Sequence, residues 1–201
     1  MFPVLLIPLL AGVFSSPLTA QASTIALAAA TTSVGVPFYS QFRDIASSKW
    51  QKVGCGIASL AMVVDYYSTS SPSVDTLLSQ GIKLGAYSSN GWTYDGLIAV
   101  AKKYGLNGQS RILYGENSGA AFDQLAADVK HGPVIASVHY KFDPKNPIPH
   151  LVVVDRIENG FIYYNDPAAT AGYKKIPIKS FTSAWKKRYL VIRPPDALAA
   201  L

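Results

Sequence analysis

The chain contains a single cysteine, Cys55, standing between two glycines at the head of an apolar run, Val53-Gly54-Cys55-Gly56-Ile57-Ala58-Ser59-Leu60-Ala61-Met62-Val63-Val64. Leu60, Val63, Val64 and Tyr67 recur at i, i+3, i+4 and i+7, the spacing of one buried helix face. A thiol in the first turn of such a helix lies at the positive end of the helix dipole, beside backbone N–H groups that lack an intrahelical acceptor. Both favour the thiolate, the form that attacks carbonyl carbon. The flanking glycines let backbone and substrate approach closely. A free cysteine is as often a small core hydrophobe, so the local pattern leaves nucleophile and core filler open.

A thiol nucleophile needs a base, an orienter for that base and donors for the oxyanion. The sequence offers three histidines. His131, beside Lys130 and before Gly132, reads as a helix C-terminus, where a cation suits the dipole. His139 lies within a strand-like run. His150 follows the turn-rich stretch Asp143-Pro144-Lys145-Asn146-Pro147-Ile148-Pro149 and opens the apolar Leu151-Val152-Val153-Val154. A rigid sheet edge can lock an imidazole rotamer by packing. Downstream, Glu158-Asn159-Gly160 reads as a hairpin turn. With a three-residue loop, Ile157 opposes Phe161 and Val152 opposes Asp166, which makes His150 and Asp166 diagonal neighbours on one face. With a two-residue loop the register slips by one and Asn165 takes that face.

The elements that must carry these groups follow from periodicity. Residues 34–39 form a short extended segment, and a helix runs from Cys55 to Tyr67. Ser73 caps a second helix marked by Val74, Leu77 and Leu78. Leu97, Val100, Ala101 and Tyr104 mark a third, opened by Thr93 and closed by Gly105. Phe122, Leu125, Ala126 and Val129 mark a fourth, closed by Gly132-Pro133. Strand-like runs follow at 134–140, 151–157 and 161–165. Two edge strands are expected at 173–177 and 189–192, with Phe181 and Trp185 on a short helix between them. Helices first and an antiparallel sheet afterwards is an α+β layout.

Composition narrows the function classes. Hydrophobic residues make up 49% and charged residues 15%, which is globular rather than disordered. The formal net charge is +6, with Lys186-Lys187-Arg188 the densest basic cluster. That cluster reads first as a solvated surface, and secondly as an attraction to anionic cell-wall polymers or membrane surfaces. No basic and aromatic interleaving points to nucleic acid, and no glycine-rich phosphate loop or zinc-ligand spacing is present. Residues 1–22 carry no Lys, Arg, Asp or Glu; a short apolar run ends before Ala20-Gln21-Ala22, the small-x-small form of a signal-peptidase site. The first basic residue is Arg43, so only the α-amino group charges the n-region. The run is short of the about 20 apolar residues that span a bilayer. The expected organisation is a signal peptide at 1–22, a flexible linker at 23–33, one domain at 34–193 and a tail at 194–201. The expected location is secreted or cell envelope. One cysteine forms no internal disulfide.

The order Val36-Pro37-Phe38-Tyr39-Ser40-Gln41, Trp50, Gly54-Cys55-Gly56-Ile57-Ala58-Ser59-Leu60-Ala61-Met62, Gly132-Pro133-Val134, His150-Leu151-Val152-Val153-Val154 and Asn165-Asp166-Pro167 resembles the bacteriocin-processing (double-glycine leader) cysteine peptidases, and more closely their stand-alone exported branch. The resemblance spans about residues 34–192. It implies a papain-like fold, Cys55 as nucleophile, His150 as base, Asp166 as orienter and Gln41 as oxyanion donor. Ile57 stands where the family commonly has Pro after Cys-Gly, and Pro149 where it often has Gly before the histidine. Neither departure removes a chemical group. The expectation is a monomeric thiol hydrolase of a peptide or cell-wall peptide, acting through an acyl-enzyme without metal or cofactor. A cell-wall amidase or an acyl transferase would use the same residues. The rival of another class is a non-catalytic module binding peptide or glycan in its groove, which thiol reactivity would separate from the enzyme.

Overall fold

The computed structural model describes residues 35–199 together with residue 1, so the expected linker and all but the first residue of the expected signal peptide lie outside the described residues. The chain runs α1 (Ser48–Gln51), α2 (Cys55–Tyr67), α3 (Val74–Lys83), β1 (Tyr87–Ser88), β2 (Gly91–Trp92), α4 (Tyr94–Lys102), β3 (Asn107–Ile112), α5 (Ser118–Lys130), β4 (Val134–His139), β5 (Pro149–Glu158), β6 (Phe161–Asn165), β7 (Lys174–Pro177), α6 (Ile178–Ala184), β8 (Trp185–Arg193) and α7 (Pro195–Ala199). A six-stranded antiparallel sheet in the order β3-β8-β4-β5-β6-β7 forms the middle layer. This is the expected α+β class.

Both faces of the sheet are covered. Leu151 and Val153 of β5, with Ile135, Leu190 and Ile192, pack with α2, α3 and α4. Val152 and Val154 belong to a second cluster with Leu125, Val129, Phe181 and Tyr189. Burial on both faces explains why β5 reads as a continuous apolar run rather than an alternating one. Each fully buried Val or Leu contributes about 1.5–3 kcal/mol by leaving water. The central helix α2 is buried over every residue from Gly56 to Val64, so its i, i+3, i+4 stripe understated its environment. Side-chain caps set the helix starts: Ser73 Oγ accepts from the Thr76 N–H at 3.1 Å, Thr93 Oγ1 from Gly96 at 3.2 Å and Asn117 Oδ1 from Ala120 at 2.8 Å.

Three expectations differ from the structure. Trp185 opens β8 instead of closing a helix, and β8 lies between β3 and β4 rather than at an edge. The edge on that side is β3, whose sequence Asn107-Gly108-Gln109-Ser110-Arg111-Ile112 carries only one apolar side chain and so leaves no hydrophobic alternation; the opposite edge is β7, as expected. The residues expected as a tail carry α7, whose Leu198 joins the second core cluster.

The third difference concerns the hairpin. The β5–β6 loop has two residues, not three: Glu158 pairs with Phe161, while Asn159 (φ 51°) and Gly160 (φ 81°) make the turn. Two successive positive φ angles match the right-handed strand twist, which suits Asn-Gly. Asp155 then bulges between Val154 and Arg156, and the bulge adds back the residue that the short loop removed. From Val154–Tyr164 and Val153–Asn165 onward, the register is the one that a three-residue loop would have set. His150 and Asp166 therefore share a face through two compensating features.

Candidate active site

Cys55 is the first residue of α2, free and partly exposed. The N-cap is Gly54, which offers no side-chain acceptor to the first-turn N–H groups. A Cβ at Gly54 would fall 2.3 Å from Ile45 Cδ1, 3.0 Å from the Trp50 carbonyl oxygen and 3.2 Å from Gln41 Cβ. A Cβ at Gly56 would fall 2.8 Å from Trp92 Cβ and Cγ. The two glycines thus let the segment around Cys55 pack against Gln41 on one side and Trp92 on the other.

His150 is the second residue of β5 and is 4% exposed. Its Nε2 lies 2.6 Å from Asp166 Oδ1, and that oxygen also accepts from the Ala168 N–H at 2.8 Å. The Tyr140 ring meets the imidazole edge-on at 5.2 Å. With Nε2 taken by Asp166, Nδ1 remains for Cys55, whose sulfur is near enough to act on the imidazole by hydrogen-bond attraction and by charge. Burial disfavours the imidazolium, but hydrogen bonding to Asp166 and Cys55 and the electrostatic influence of both outweigh it, and the His150 pKa is pushed up to about 9. Burial raises the Asp166 carboxyl, yet the hydrogen bond and charge of His150, the Ala168 N–H and Lys174 together hold it below the ordinary carboxylate range. The pair is thus charged at neutral pH.

Gln41 is 4% exposed and lines the same cleft as Cys55 and His150. Its backbone N–H donates to the Pro167 carbonyl at 2.8 Å, which ties it to the turn after Asp166. Its Nε2 donates to the Gln51 carbonyl at 2.6 Å, and its buried Oε1 has no partner among the described residues. One bond at Nε2 fixes the amide and leaves that nitrogen a second N–H.

Asn165, the alternative orienter, has another task. It is 2% exposed, its Nδ2 donates to the Val36 carbonyl at 2.9 Å, and its Oδ1 accepts from the Tyr173 N–H at 2.7 Å. It fastens the N-terminal extended segment and the 166–173 loop to the end of β6. His139 bonds the Asn146 carbonyl at 2.7 Å and His131 the Ala127 carbonyl at 3.0 Å, so both serve local backbone.

The cleft has a volume of about 790 Å³. The β1–β2 hairpin supplies an aromatic wall that sequence reasoning missed, because strands of two residues carry no periodic signal. Trp92 Nε1 donates to the Val53 carbonyl at 2.8 Å, and Tyr87 packs edge-on against Trp50 at 5.1 Å and Trp92 at 5.3 Å. Among the described residues, no group of three His, Cys, Asp or Glu side chains could hold a metal ion, and no helix is long and apolar enough to cross a membrane.

Residues 33–191 match the Peptidase C39-like family. No curated protein is significantly similar to the chain. Among solved structures, the chain is similar to a double-glycine motif protease from an AMS/PCAT transporter in complex with its leader peptide, at 26% identity and TM-score 0.55, covering 80% of this chain and 92% of that one. It is also similar in fold to a C39-like peptidase from Bacillus anthracis (20% identity, TM-score 0.58, 78% and 93% covered). The peptidase domain of Streptococcus ComA, a bi-functional ABC transporter of a quorum-sensing pathway, shares the fold at 22% identity and TM-score 0.54, with 71% and 93% covered.

Proposed function

The chain belongs to the Peptidase C39-like family, with its papain-like α+β fold, and is a cysteine peptidase; on that premise we propose that it cleaves peptide bonds outside the cytoplasm with Cys55, His150, Asp166 and Gln41. The observation that carries the reading is the arrangement around His150, bonded through Nε2 to Asp166, under the influence of Cys55 and with Nδ1 left for that thiol.

The Cys55 thiolate attacks the scissile carbonyl carbon. The carbonyl π electrons move to oxygen, and the first-turn N–H groups of α2 with the Gln41 amide stabilise the oxyanion. His150 gives its Nδ1 proton to the leaving amine as the C–N bond breaks, which leaves an acyl-enzyme thioester. His150 then takes a proton from water, the hydroxide attacks the thioester, and Cys55 leaves as thiolate. Asp166 holds the imidazole in orientation throughout. The leader peptide bound by the double-glycine motif protease supports a peptide substrate. Digestion of a randomised peptide library should give new amino termini with the native protein and none with Cys55→Ala. Identical products from both would refute the reading.

Export is the second part of the proposal, supported by the uncharged apolar run and Ala20-Gln21-Ala22. N-terminal sequencing of protein from the medium or cell envelope should begin at Ser23. A membrane-bound form that still begins at Met1 would make the segment an anchor.

A further inference from the structure

The basic cluster Lys186-Lys187-Arg188, which in sequence reads as solvated surface, divides in the structure. Lys187 has a positive φ of 47° and sends its Nζ to the Glu116 carbonyl at 2.9 Å. Lys186 and Arg188 line the cleft that holds Cys55 and His150. The cause is a bulge in β8. Ala136 of β4 pairs with Tyr189 and Val138 pairs with Trp185, so three residues of β8 stand opposite Ser137 alone. Bulges of this kind re-aim side chains beside a site.

The two cations are held there without counter-ions. Arg188 Nε donates to the buried Ser137 Oγ at 3.2 Å, and its guanidinium lies 5.7 Å over the Tyr94 ring. Lys186 feels burial and the like charge of Arg188, both of which lower its pKa. Neither side chain forms an ion pair with a carboxylate among the described residues. Apart from the proposed Cys55–His150 ion pair, the other charged residue along the cleft is Lys52, and no described Asp or Glu lines it. Two like charges that line one groove repel each other and are both stabilised when an anion binds between them.

We infer that Lys186 and Arg188 form a carboxylate-binding subsite of the cleft, so that the preferred substrate is a peptide carrying a carboxylate that reaches the β8 bulge. The inference rests on the peptidase reading for the word substrate, and its binding arm is independent of turnover. Fluorescein-labelled decapeptide pools, randomised except for one fixed Glu, Gln or Lys and amidated at the C-terminus, are titrated against Cys55→Ala protein by anisotropy and digested by the native enzyme. At one fixed position the Glu pool should bind about tenfold tighter than the Gln pool, and the gap should narrow as salt rises. A neutral pool with a free C-terminus separates a terminal carboxylate from a side-chain one.

In Lys186→Gln and in Arg188→Gln the ratio of Glu to Gln should fall toward one. Lys186→Gln decides if loss of the Ser137 bond unfolds the Arg188 variant. Equal binding of the Glu and Gln pools, with no gain from a free C-terminus, would overturn the subsite, as would a preference that survives Lys186→Gln. Cleavage without carboxylate preference sinks the subsite and leaves the peptidase reading; tight Glu binding without cleavage does the opposite.

Discussion

Cys55→Ala is expected to abolish peptide cleavage, and His150→Ala to lower kcat/KM by about 10³- to 10⁴-fold, because the two act as one unit and loss of either leaves little beyond binding and the oxyanion donors. Iodoacetamide separates this from a structural effect. Cys55 is partly exposed in the cleft, so the folded protein should be alkylated, and the rate at neutral pH should fall in His150→Ala as the adjacent imidazolium is lost. Intact-mass spectrometry reads the modification and circular dichroism checks the fold. A thiol that reacts only after unfolding would make Cys55 a core residue.

Cys55 and His150, the proposed nucleophile and base, stand out in the sequence because each sits where local pattern is strong: Cys55 at the start of an apolar helix and His150 at the start of an apolar strand. The hairpin partner was legible for a partly mistaken reason. Asn159-Gly160 makes the tighter turn, and only the bulge at Asp155 restores the register that brings Asp166 to His150. A bulge leaves little mark in a sequence whose strand is apolar on both faces, since either register buries β5 equally well. The same blindness hid the bulge at residues 186–188, where three basic residues look like surface until two are turned into the cleft. Strand β3 escaped notice because its side chains are mostly polar, and the β1–β2 hairpin because two residues per strand show no period.

Asp166 and Asn165, adjacent in sequence, should fail in different ways. In the native enzyme the His150 pKa of about 9 means that the imidazolium survives to alkaline pH. A raised histidine contributes stability that is complete below its ordinary value near 6.5 and is lost as pH rises through about 9. A depressed carboxyl contributes stability above its ordinary value of about 3.9, lost as pH falls through the lowered one. Asp166→Asn removes the carboxylate charge while keeping the shape, so the alkaline limb of kcat/KM should move down by about one unit or more, with a large fall in turnover and a nearly unchanged melting temperature at alkaline pH.

Asn165→Ala has the opposite signature, because this side chain ties residue 36 and the 166–173 loop to the end of β6. Removing it leaves the buried Val36 carbonyl and the Tyr173 N–H without partners, at about 2–4 kcal/mol. For a domain of this size the melting temperature should fall by roughly 5–15 °C. The pH limb of the molecules that stay folded should remain where it is, because Asp166 still faces His150. A shifted limb in Asn165→Ala with an unshifted one in Asp166→Asn would transfer the orienting role to Asn165.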